Sequence, residues 1–288
     1  FTVQLLFLSI THLARKILLT DPEHASQVRM VLILIAGAVG ALTFAFTDSF
    51  WFSAVEGEVY ALSSFFTAVV FYAMLRWEES SEDTRGDRWI VFIAYMIGLS
   101  IGVHLLNLLT IPALVFIWFH KKYPRYTVKQ LVIASIAAVV LLGGIQDFLI
   151  PGIVSGAGAA ELFFVNKVGM PFQSGTIIYF ALIITGIVFG LWWSHRKQLH
   201  YLNIGVLSFA MLLIGYSTFL VVIIRSNAGT PINENRPNDA VSLLSYLNRE
   251  QYGDWPIFHG QQYSTPLDPE QPYVDGQPKF VRDNATGN

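Results

Sequence analysis

Apolar residues along this chain come in long runs, and those runs set the expected architecture. A bilayer-crossing helix needs about 20 mostly apolar residues, roughly 17 at the short end. Runs of that kind lie at 1–19, 30–46, 50–76, 131–149, 176–193 and 203–224. A further stretch, 89–119, has 31 residues. As one straight helix it would reach ~46 Å, against a hydrocarbon layer of about 30 Å, so it must tilt or break. Gly98, Gly102 and Pro112 supply breakers, with Arg76, Arg85 and Arg88 before the stretch and Lys121, Lys122, Arg125 and Lys129 after it. Putting both basic flanks in the cytoplasm predicts a hairpin of two short helices that turns between Gly102 and Asn107. The alternative, a single long tilted helix, would invert the topology of everything downstream. With the hairpin, twelve of the thirteen Lys and Arg before residue 225 fall on the cytoplasmic side and only Lys167 lies outside. Segments 47–49, 147–175 and 225–288 then face outward.

After residue 224 the pattern changes. The last 64 residues hold seven of the twelve Pro and thirteen of the 38 charges, and no run there could cross a bilayer. This predicts a membrane-embedded helical domain, 1–224, with about eight membrane segments, and an aqueous segment, 225–288. Asp239 is placed to cap a short helix from Ala240 to Tyr252, with Leu243, Leu244 and Leu247 on one side and Gly253 as terminator. Trp255 to Phe258 reads as a short extended piece, and the chain beyond Pro266 as loop.

Composition agrees with lipid as the solvent. The chain is 53% hydrophobic and 13% charged, against about 25% charged in an average soluble domain. The expected class is an all-α polytopic membrane protein with a small mixed or irregular outer C-terminal segment. A net charge of −2 lacks the basic field of a nucleic-acid binder, so nucleic acid is excluded as a partner. With no Cys, neither a disulfide, a thiolate metal site nor a Cys nucleophile can form. Phe1 stands inside an apolar run, which reads as a piece of a longer protein with residues upstream.

The richest chemistry lies between Asp48 and Arg76. Asp48 or Ser49 can cap a helix. Ser49, Ser53, Glu56, Tyr60, Ser63 and Thr67 then follow at spacings of 4, 3, 4, 3 and 4, the period of one helical face. Such a stripe must look into a bundle or a watered cavity, either to bond neighbouring helices or to meet a substrate. Partial burial there would give Glu56 the tuning a general acid or base requires. Glu58 points roughly 200° around the same helix, so the two carboxylates are not face-matched. His104 and Asn107, three apart, would share a face at the hairpin turn, as an interhelical hydrogen bond or as polar lining of a site. Asp48, Glu56 and Glu58 fall on one side of the membrane, but their spacing matches no tight metal motif, and no metal or other cofactor is expected. Arg225 follows the last span directly, outside, against the usual charge bias; a lipid phosphate held by its paired donors would explain it, as would snorkelling to ordinary headgroups. Lys167 would add a second outer cation.

Three long strings carry a resemblance: Asp48 to Ser63 (DSFWFSAVEGEVYALS), Gly98 to Leu109 (GLSIGVHLLNLL), and Pro231 to Asn235 (PINEN) followed by Ser242 to Tyr252 (SLLSYLNREQY). They resemble a large Bacteroidetes-type membrane family long filed as a domain of unknown function and grouped with a eukaryotic transmembrane protein O-mannosyltransferase. The resemblance implies a GT-C-like glycosyltransferase fold, with many helices, some short, around a site near the outer membrane surface. It implies a polyprenyl-phosphate sugar as donor, a periplasmic acceptor such as a protein hydroxyl, and a bacterial inner membrane location with a periplasmic C-terminal part. It also implies an acidic motif of the type Trp-Asp-Cys-Gly-Glu near the N-terminus; no position here matches it, so the principal catalytic acid is expected upstream of Phe1.

On this reading Glu56, with Glu58 and Asp48 beside it, is an acceptor-side carboxylate. Arg225, helped by Lys167, clamps phosphate, and His104, Asn107 and Tyr60 line the substrate site. Two rivals stay open: a non-catalytic membrane subunit whose outer tail docks a periplasmic or secretion partner, and a secondary transporter. A transporter would want paired broken helices in two related halves, whereas one broken stretch and no repeat are present.

Overall fold

Once a backbone enters lipid, its N–H and C=O groups must be satisfied within the segment, so apolar runs of this length become helices. A computed structural model of the chain describes residues 1–19, 26–80, 86–253, 260, 264–266, 269–270, 276 and 278–281. Among these residues every regular element is helical. The helices are α1 (Thr2–Leu18), α2 (Gln27–Ala45), α3 (Asp48–Val55), α4 (Tyr60–Glu79), α5 (Asp87–Ile101), α6 (Ile111–Lys122), α7 (Val128–Gly143), α8 (Ile150–Leu162), α9 (Ser174–Arg196), α10 (His200–Tyr216), α11 (Leu220–Asn227) and α12 (Ala240–Leu247). Five helical segments among the described residues are long and apolar enough to cross a membrane, or six if the bent α3–α4 pair counts as one. Ile133, Ile136 and Val139 on α7, and Leu182, Ile184 and Val188 on α9, are all more than half exposed. Water would not tolerate faces of that kind, and lipid does. The protein is a polytopic all-α membrane protein.

The chain divides into two compact units, one of residues 1–146 and 187–219, the other of 147–186 and 220–288. In the first, the 89–119 stretch is broken as expected. Helix α5 ends at Ile101, a 3₁₀ turn covers Leu105–Thr110, and α6 follows with Pro112 in its first turn. Gly86 and Asp87 at the start of α5 share a pocket with Trp118, Lys121 and Lys122 at the end of α6, so the stretch folds back on itself. A straight helix would hold those ends ~46 Å apart.

Small residues bring helices together where no hydrophobic effect can. Helices α5 and α10 run parallel: Asp87 pairs with His200 at their starts, and Gly102 approaches Thr218 just past their ends. Between these points a side chain at Gly98 would strike the backbone of Leu212, and one at Gly215 the backbone of Tyr95 and Leu99. Gly37 and Gly40 of α2 likewise admit Thr11 and Ile10 of α1.

In the second unit the sequence expectation meets a difference. The chain does not leave helix at residue 149: π-helical turns at 144–149 and 163–168 carry it through α8, so residues 128–168 form one helical segment. Pro151 lies inside this segment directly after the first π turn, and having no N–H it interrupts the α-helical hydrogen-bond ladder there. Helix α12 starts where expected but ends at Leu247, short of the expected Tyr252, because Arg249 turns left-handed at φ 56°. Asp239 is its N-cap and exchanges hydrogen bonds with Ser242, Leu243 is buried, and a 3₁₀ turn at Glu250–Tyr252 ends on Gly253 at φ 73°. The helix packs on α8, where Gly158 lies against Ala240 and Val241. Trp255 to Phe258 lies outside the described residues.

Candidate functional site

The stretch expected to be one helix from Ser49 to Thr67 is two. Helix α3 stops at Val55, residues 56–59 run without helix, and α4 restarts at Tyr60 after a turn of 113°. Gly57 is a poor helix residue, and it stands between two carboxylates that gain by reaching water. Irregular backbone survives at membrane depth only where protein or water surrounds it. The polar stripe is therefore not a single face. Ser53 turns back to donate to the carbonyl of Ser49 at 2.8 Å, and Ser64 to that of Tyr60 at 2.9 Å. Neither Asp48 nor Ser49 caps α3; the N-cap is Thr47, whose hydroxyl donates to Phe44 O instead.

Asp48, Glu56 and Glu58 are all exposed, and none pairs with a cation among the described residues. The partial burial expected for Glu56 is absent because the break lifts it off the helix surface. Ser63 is fully buried and its hydroxyl has no hydrogen-bond partner among the described residues.

The hairpin turn comes to the same place. The rings of Tyr60 and His104 lie 5.4 Å apart, tilted by 52°. His104 is not helical: in an extended conformation (φ −163°) it caps the 3₁₀ turn, its Nδ1 accepting from Leu106 N at 3.0 Å. An accepting Nδ1 leaves the proton of the neutral ring on Nε2, free to donate to a ligand oxygen. Asn107 does not share a face with it. Asn107 is fully buried and donates to Ser100 Oγ at 2.9 Å, and Ser100 Oγ donates in turn to Ile97 O at 2.7 Å, so the amide pins the turn to the end of α5.

Beneath this corner lies a cavity of about 580 Å³ between α1, α4 and the 3₁₀ turn, lined by Leu6, Ile10, Thr67, Phe71, Leu106 and Leu109 among others. Its walls are almost wholly apolar, with small hydroxyls at Ser9, Ser64 and Thr110. A chain-like apolar ligand suits it. A sugar does not.

Arg225 and Lys167 belong to the second unit, whereas Glu56, Glu58, Asp48, Tyr60, His104 and Asn107 belong to the first. Arg225 is exposed on the last turn of α11. Just after it the chain closes a compact loop: Asn233 donates to Ser226 O at 2.9 Å and accepts from Ser226 Oγ at 3.0 Å, while Asn227 donates to Asn238 O at 2.9 Å. Glu234, Asn235 and Arg236 project from it, the last two with left-handed backbone at φ 59° and 41°, a strain that a rigid loop must sustain. Lys167 is exposed beside Asn166, which grips the tail by donating to Lys279 O at 3.2 Å and accepting from Val281 N at 3.0 Å.

Two polar groups escaped the sequence reading. Glu161 on α8 is buried and receives the backbone N–H groups of Gln173 and Thr176 and the Thr176 hydroxyl, so it caps the start of α9. A lone carboxylate in so apolar a segment was the available signal. His12 on α1 is buried and faces Glu79 at 3.3 Å and Glu78 at 3.9 Å, with Lys16 on Glu78 and Arg76 on Glu79. The spacing of four between His12 and Lys16 marked one helical face. Among the described residues no group of three or more His, Asp or Glu is arranged to hold a metal.

Residues 1–127 match the family described as the Protein O-mannosyl-transferase TMEM260 N-terminal domain, so this stretch is similar to that family. The matched residues include the broken α3–α4 corner, the hairpin turn and the apolar cavity, but not Arg225 or Lys167. No curated protein and no solved structure matches the chain.

Proposed function

We propose that the chain is part of a membrane glycosyltransferase that takes a sugar from a polyprenyl-phosphate donor and passes it to a hydroxyl on the outer side of a bacterial inner membrane. The observation that carries this reading is a coincidence of place. The stretch related to a protein O-mannosyltransferase family holds two exposed carboxylates at a helix break, beside Tyr60 and His104 and above an apolar cavity.

In the reaction, an acceptor oxygen attacks the anomeric carbon, the bond from that carbon to the phosphate oxygen breaks, and phosphate leaves with the electron pair. A carboxylate that takes the acceptor's proton lowers this barrier. Glu56 or Glu58 serves there on the acceptor side, with Asp48 adding negative charge. His104 Nε2–H and the Tyr60 hydroxyl hold sugar or phosphate oxygens. The isoprenoid chain lies in the apolar cavity, and Asn107 keeps the turn in shape. Arg225, helped by Lys167, is a phosphate clamp, because a guanidinium pairs phosphate oxygens through two donors. Segment 225–288 then lies in the periplasm, within reach of a protein acceptor.

The test uses the complete protein in vesicles with a radiolabelled polyprenyl-phosphate mannose and a peptide acceptor. Label should reach the peptide, Arg225→Ala should lower transfer far more than it lowers folded yield, and Glu56→Gln should do the same. Undiminished transfer by both variants would refute these roles, and counterflow of substrate without transfer would favour a transporter.

A further inference from the structure

The opposite end of α4 carries a second pocket that sugar transfer does not use. Trp77 is seventeen residues beyond Tyr60, ~26 Å along the helix, which is most of a bilayer's hydrocarbon thickness. There a cavity of about 280 Å³ opens between the end of α4, the start of α5, the end of α6 and the start of α10. Trp77, Trp118, Tyr123 and Tyr201 give it an aromatic wall, and Lys121, Lys122, Asp87 and His200 supply its charges. Asp87 is already matched, its carboxylate 2.9 Å from His200 Nε2. Lys121 braces the site: its ammonium donates to Trp77 O at 3.0 Å and Ser80 O at 2.8 Å and sits 4.3 Å from the centre of a Trp77 ring, so its charge stays at the pocket wall. Lys122 is exposed and pairs with no described residue.

We propose that this pocket binds the phosphate headgroup of an anionic phospholipid. The Lys122 ammonium attracts a phosphate, the braced Lys121 beside it adds positive field, and the Tyr123 and Tyr201 hydroxyls add donors to its oxygens. The aromatic wall favours lipid over free phosphate. Trp and Tyr collect at headgroup depth, and Trp118 and Tyr201 are 45% and 83% exposed, so an acyl chain leaving the pocket meets apolar surface rather than water. Basic pockets between membrane helices on the cytoplasmic side take anionic headgroups in this way. The same end of the first unit carries Arg15, Lys16, Arg76 and Arg88, the side to which the positive-inside rule assigns the cytoplasm. The assignment does not depend on sugar transfer.

The full chain is purified, placed in vesicles of phosphatidylcholine with or without phosphatidylglycerol, and examined by native mass spectrometry for retained lipid and by thermal unfolding. Phosphatidylglycerol should be retained in preference to phosphatidylcholine and should raise the unfolding temperature. Lys122→Ala combined with Tyr201→Phe should weaken that retention about tenfold, while Lys122→Arg keeps it and Lys129→Ala, a basic residue outside the pocket, leaves it unchanged. Because Lys122 and Tyr201 are exposed, these variants should fold, and an unchanged melting point in pure phosphatidylcholine checks this. Equal retention of both lipids, or full retention by the double variant, overturns the proposal. Equal protection by inorganic phosphate in detergent would overturn the lipid assignment in favour of a free-phosphate site.

Discussion

The two ends of α4 treat their carboxylates in opposite ways. At the Trp77 end each described carboxylate contacts a basic side chain: Glu78 with Lys16, Glu79 with Arg76 and His12, and Asp87 with His200. At the Tyr60 end Asp48, Glu56 and Glu58 stand exposed with no cation beside them among the described residues. Charge matched by charge holds helices in place and offers little to a substrate. Charge left without a cation next to a helix break ties no two helices together and is open to a substrate. On the proposed function the tyrosine end is where a proton is taken, while the tryptophan end holds the helices together.

That contrast can be broken experimentally. The largest effect should come from Glu56→Gln with Glu58→Gln: transfer by the complete protein falls about 100-fold while its melting temperature is unchanged. Parental activity in this variant would make the unmatched charge incidental. Next, Gly215→Leu should lower stability by about 3 kcal/mol or abolish folding, because the new side chain meets backbone on α5; thermal unfolding in detergent measures it. Removing the cap in His104→Ala should cost about 1 kcal/mol of stability and reduce transfer as well, whereas His104→Asn, which can still accept from Leu106 N, should recover the stability alone. The smallest effect belongs to the anchored end. Glu79→Gln should cost about 0.5 kcal/mol, less in high salt, with transfer untouched. A large loss of transfer from Glu79→Gln would erase the distinction between the ends.

Much of this was legible in the chain. The 89–119 stretch was too long for one crossing and had glycines and basic flanks to say where it folds back, and its break lies at Gly102 to His104. Asp239 with Ser242 announced α12, since capping depends on residues three apart. The α3–α4 break was not legible. Polar residues at spacings of four and three look the same on one straight helix and on two helices at 113°, because periodicity records position along a chain and is blind to direction in space. For the same reason Asn107 read as a neighbour of His104 on one face, while the structure buries it against Ser100.

The amino-acid order alone determined that this protein lives in lipid, that its long apolar runs are helical, and which of their flanks are basic. These follow from local composition acting over one segment at a time. Which carboxylates would be matched and which left bare was decided only by tertiary packing. Contacts such as His12 with Glu79 or Asp87 with His200 join residues 67 and 113 positions apart, and they form only when helices have chosen their neighbours.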